Sequence, residues 1–70
     1  MAIHPALKSK AWKKIRELMS RGKTFIIRNQ YDETKWVSPN AAIYNIDEMR
    51  GWFKFCWDMG DIMKVEEVAQ

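Results

Sequence analysis

Two runs of side chains in this sequence could do chemistry at a surface. The first is cationic: Lys10, Lys13, Lys14, Arg16, Arg21, Lys23 and Arg28 crowd the first half of the chain. Ammonium and guanidinium groups at that density can track a phosphate backbone and release its condensed counterions. The second is aromatic. In Trp52-Phe53-Lys54-Phe55-Cys56-Trp57, five of six residues are apolar. Trp, Phe and Met are the side chains that anchor the centres of protein interfaces.

Other chemistries lack their parts. Gly22-Lys23-Thr24 has the ending of a phosphate-binding P-loop, but the motif needs a glycine where Glu17 stands. It also needs a strand before it and a helix after it, and here that order is reversed. His4 and Cys56 are the only imidazole and the only thiol, too few for a structural zinc site, which takes four ligands. Asp58, Asp61, Glu66 and Glu67 form an acidic end without the spaced Asp-x-Asp-x-Asn-Gly pattern of a calcium loop. No nucleophile, base and orienting group can be assembled. The expectation is a protein that is not an enzyme and uses no metal or cofactor.

The charge is polarised along the chain. Residues 1–28 hold eight Lys/Arg against one Glu, a net of +7, and residues 29–70 hold four against eight acids, a net of −4. Either the basic half faces an acidic partner, or the two halves neutralise each other on one folded surface. The 70 residues are 47% hydrophobic with three Gly and two Pro, which excludes a disordered tail or low-complexity linker. With one cysteine no intrachain disulfide can form, which favours a reducing, cytoplasmic setting. No secretory leader is visible in residues 1–20, and no stretch approaches the ~18 apolar residues of a membrane span.

The elements that must position these residues follow from periodicity. Pro5 suits a first helical turn, and from Pro5 to Arg21 the residues Leu7, Ala11, Trp12, Ile15, Leu18 and Met19 fall within an arc of roughly 140°. The lysines lie opposite, and Gly22 stands where a helix terminates. Thr24–Tyr31 reads as a strand with Phe25, Ile27 and Tyr31 on one face. Asp32-Glu33-Thr34 would turn the chain into a short return strand, Lys35–Ser38, stopped by Pro39. Ile43 and Tyr44 extend a third strand or plug the core. Asn45 followed by Glu48 has the pattern of a helix cap, so a second helix runs from Ile46 to Met59 and stops at Gly60. Residues 61–70 read as a short strand added to the hairpin, with a helix through Ile62, Val65 and Val68 as the alternative.

The expected fold is α+β: a single small domain over residues 1–70, in the order α-β-β-α-β, with two helices on a small antiparallel sheet. Residues 1–4 and 67–70 should fray. Ile15, Leu18, Phe25, Ile27, Val37, Phe53 and Cys56 should be buried. Ile46, Met49, Trp52, Phe53, Phe55, Cys56, Trp57 and Met59 spread over about 200° of the second helix, more than the ~100° that a core-facing helix needs. Part of that arc should therefore reach the surface. The leading expectation is a non-enzymatic binding module, a small regulator or inhibitor of the kind phages and mobile elements encode. It would act on another protein, or on itself as a homodimer, through Trp52, Phe55, Trp57 and Met59. The alternative is a nucleic-acid-binding protein using Lys10, Lys13, Lys14, Arg16, Arg21, Lys23 and Arg28 of the first helix and its flank.

Overall fold

The computed structural model describes residues 3–38 and 43–68, which form two helices on one three-stranded antiparallel sheet. The first helical region is not continuous. Pro5–Lys8 is a single 3-10 turn, and helix α1 runs only from Lys10 to Ser20. Ser9 makes the break. Its backbone is extended, its hydroxyl donates to the Ala6 carbonyl at 2.7 Å, and the same oxygen accepts from the Trp12 amide at 3.1 Å. A serine that can satisfy orphan amides as an N-cap favours starting a new helix over prolonging the old one.

Helix α2 spans Ile46–Asp58, and Met59 caps its end. As the sequence predicts, Asn45 is the N-cap: its side-chain oxygen accepts from the amides of Asp47 at 2.9 Å and Glu48 at 3.3 Å. Both helices end in one way. Gly22 at φ +66° and Gly60 at φ +91° adopt the left-handed conformation. Lys23 then donates to the Leu18 carbonyl and Gly22 to that of Met19; Asp61 and Gly60 repeat the pair on Cys56 and Trp57. This double bond pattern satisfies the last carbonyls of a helix, and glycine takes the required φ without strain.

Strands β1 (Phe25–Arg28), β2 (Thr34–Val37) and β3 (Lys64–Glu67) lie in the order β2-β1-β3. Within the described part of the tail, residues 61–68, Lys64–Glu67 adds a strand, and there is no helix. Ile43 and Tyr44 form no strand. Ile43 packs against the core, and the Tyr44 ring stacks on Trp36. Phe25 and Ile27 point inward from β1, opposite Trp36 of β2 and Val65 of β3. Beyond Trp36 the register slips, so Thr34 rather than Lys35 pairs with Arg28. The extra residue is a bulge. It sets the Thr34 hydroxyl 3.0 Å from Arg28 Nη1.

The buried core comprises Ala6, Trp12, Ile15, Leu18, Phe25, Ile27, Trp36, Met49, Phe53 and Met63. Two expected members depart from it. Val37 is 52% exposed, because the pleat that buries Trp36 must send its neighbour to the other face. Cys56 is half-buried on the flank of α2. Tyr31 also leaves the interior: β1 ends at Arg28, and the ring projects from the turn beyond it. That turn is built by Asn29, which is itself buried. Its side-chain oxygen accepts from the amides of Tyr31 and Glu33, and its amide nitrogen donates to the Glu33 carboxylate.

Both chain ends are tied in where described. His4 Nδ1 accepts from the Ala6 amide, and its Nε2–H donates to Asp58 Oδ1 at 2.9 Å, fastening the 3-10 turn to the end of α2. Glu67 pairs with Phe25, and the Val68 amide donates to the Thr24 carbonyl.

Candidate nucleic-acid interface

The core face of α1 is Trp12, Ile15 and Leu18. Helical spacing therefore commits Lys10, Lys13, Lys14, Arg16 and Arg21 to the outside, and all are exposed. The acid on that surface, Glu17, is held by Arg21 at 3.2 Å. Lys10, Lys13, Lys14 and Arg16 have no ion-pair partner among the described residues, nor has Lys23 just past the helix. Lys8, which the sequence reading did not include, is likewise unpaired. Arg28 belongs elsewhere. From the outer face of the sheet it donates to Glu66, to Thr34 and to the Asp32 carbonyl.

Folding therefore leaves the charge polarity of the sequence largely in place. Of the Lys and Arg side chains in residues 1–28, only Arg28 forms an ion pair with an acid of the second half among the described residues. The other pairs of those acids stay within the second half or involve His4: Asp47 with Arg50, Asp61 with Lys35, and Asp58 with His4.

One flank of this ridge is concave. A groove of about 640 Å³ lies between α1 and the segment leading into α2. Lys13, Arg16, Glu17 and Ser20 line one wall with Met19; Tyr44, Asn45 and Ile46 line the other. Lys13 and Arg16 fall on one face because they are three residues apart, and Glu17 and Ser20 continue the row. Glu17 sets a carboxylate on the same wall, and Arg21 at 3.2 Å offsets part of its charge. Tyr44 stacks on Trp36, with ring centroids 6.1 Å apart and planes 8° from parallel.

The aromatic helix is divided by the core. Phe53 is fully buried between Trp12 at 5.3 Å and Trp57 at 6.0 Å. Trp52 and Trp57 are half-buried against the same cluster. Phe55 at 64% and Met59 at 70% exposure remain outside, with Ile62 also exposed beyond the helix. The structure thus splits the four residues expected to form a docking face: Phe55 and Met59 are available, whereas both tryptophans are largely claimed by the fold.

Burial, and then the Asp61 carboxylate, push the Cys56 thiol above its ordinary pKa, against an opposing pull from Lys35. A thiol so placed is a poorer nucleophile near neutral pH. Among the described residues no three His, Cys, Asp or Glu side chains gather as a metal site. No helix among them is long and apolar enough to cross a membrane. The chain matches no protein-family model, no curated protein and no solved structure.

Proposed function

We propose that the protein is a non-enzymatic nucleic-acid-binding module acting through the exposed face of α1. The observation that carries this reading is the unpaired set Lys10, Lys13, Lys14, Arg16 and Lys23, which remains cationic although the chain holds acids enough to neutralise it. Unpaired cations along one ridge repel each other in the free protein and gain most from a polyanion. The aromatic face of α2 is the weaker candidate, since Trp52 and Trp57 are half-buried against the core.

The test is binding of labelled DNA and RNA at rising salt. Each phosphate neutralised contributes about −0.7 to −0.9 to the slope of log K against log salt, so four or five contacts give a slope of about −3 to −4.5. The triple variant Lys10→Glu, Lys13→Glu, Lys14→Glu should lose binding with an unchanged circular dichroism spectrum. Absence of binding to any DNA or RNA at low salt refutes the proposal.

The exposed pair Phe55 and Met59 supports a second reading, a small regulator or inhibitor that docks on a protein or on its own copy. It requires that Phe55→Ala weaken partner binding or a dimer by about 1–2 kcal/mol or more. A monomeric protein whose native co-purifying material is all removed by nuclease would argue against it.

A further inference from the structure

We infer that the groove between α1 and the start of α2 is a site for single-stranded nucleic acid, with a base against Tyr44 and phosphates on Lys13 and Arg16. The inference rests on the nucleic-acid reading above and assigns that reading's ligand class. Three observations lead to it. The groove carries unpaired cations on one wall only, Lys13 and Arg16 on α1. Its opposite wall carries an aromatic ring, Tyr44, that is 36% exposed. That ring lies nearly parallel to the buried indole of Trp36, with centroids 6.1 Å apart, a contact that favours one orientation of the ring.

A cationic track beside an aromatic platform is the arrangement that single strands use. The backbone follows the charge, and the bases, having no partners to stack within a duplex, lay their faces on aromatic rings. A duplex has no use for Tyr44, because its base faces are already stacked and only phosphates and groove edges face outward. Met19 and Ile46, which also line the groove, give a base or sugar an apolar surface to cover. Lys10, one turn before Lys13 on the same row, and Lys14, next to Lys13 but about 100° further round the helix, do not line the groove. They would add attraction at longer range, without contact to the seated nucleotide.

The experiment compares two charge reversals of equal size. The probes are a labelled single strand of about 12 nucleotides, in the range such sites cover, and a duplex of the same sequence. Fluorescence anisotropy reads the affinity. Lys13→Glu with Arg16→Glu should weaken single-strand binding at least about tenfold more than Lys10→Glu with Lys14→Glu does. Tyr44→Ala should weaken it by about 5- to 150-fold, while Tyr44→Phe, which keeps the ring, should retain it. A thermal melt of each variant separates loss of the site from loss of the fold. The charge-reversal pairs are at exposed positions and keep the comparison valid even if Tyr44→Ala unfolds. The parent should prefer the single strand to the duplex. Equal losses from the two charge pairs, or equal affinity for single strand and duplex, would overturn the groove and leave general binding by α1 standing. No binding of either probe at low salt would remove both.

Discussion

Phe53 and Phe55 stand two residues apart on α2, and the same substitution at each should give opposite results. Phe53 is fully buried, with rings of Trp12 and Trp57 against it. Truncation to Ala there removes the side chain's transfer energy and leaves a cavity, about 3–5 kcal/mol together. A chain of this size has roughly 3–10 kcal/mol of total stability. Phe53→Ala should therefore leave the domain unfolded or barely folded at 25 °C. Phe55 is 64% exposed. About a third of a full aromatic burial amounts to about 0.5–1 kcal/mol. Alanine's higher helix propensity returns about 0.5 kcal/mol of that. Phe55→Ala should then shift stability by less than about 0.5 kcal/mol, or a few degrees of melting temperature. Urea denaturation followed by circular dichroism measures both. Comparable losses at the two positions, or a Phe53→Ala protein that melts within a degree or two of the parent, would show that the assigned core face of α2 is wrong.

Two further outcomes are expected. Asn29→Ala removes the acceptor for the Tyr31 and Glu33 amides and the donor to the Glu33 carboxylate, and should cost about 1–3 kcal/mol in chemical denaturation; an unchanged midpoint would mean the β1–β2 turn holds without it. Cys56, whose folded thiol binds its proton more tightly than an unfolded one at the ordinary 9.0, contributes linkage stability that is intact below that pH and is lost as pH climbs through the raised value. The stability advantage of the parent over Cys56→Ala should shrink above pH 9.0, and a difference that grows there would contradict the assigned burial.

The fold was legible wherever one local rule decided the matter. Asn45 with Glu48 marked the start of α2, and Gly22 and Gly60 marked both helix ends, because a side-chain acceptor and a left-handed φ are needed there whatever the tertiary context. The sequence misled where two local rules competed. Pro5 opens a helix, but Ser9 caps a new one, and the cap prevailed. In Lys35-Trp36-Val37-Ser38 alternation leaves two assignments, Trp36 inward or Val37 inward, and only pairing with Ile27 chooses between them. Asn29 gave no short hairpin signal, since its work is done by side-chain hydrogen bonds to Tyr31 and Glu33 and not by an Asn-Gly turn.

The same distinction separates what could be seen of the site from what could not. The cations of α1 were visible because their helical spacing from Trp12, Ile15 and Leu18 fixes their direction. That they stay unpaired depends on where the acids of the second half come to rest, which no window of sequence contains. The apolar arc of α2 is wider than a core-facing stripe, and the side chains it leaves outside are Phe55 and Met59. Trp52 and Trp57 stay half-buried against the cluster, while Val37 and Tyr31 are exposed for other reasons, the pleat of β2 and the end of β1. An indole covers the most apolar area of any side chain, so leaving Trp52 or Trp57 in water would forfeit more than leaving Phe55 there. The groove was hidden for a related reason. Tyr44 carries no local signal, and only tertiary packing sets its ring beside Trp36 of β2 and across the groove from Arg16 of α1. A cationic helix alone attracts any polyanion; an aromatic ring on the facing wall is what can tell a strand with open bases from one whose bases are paired.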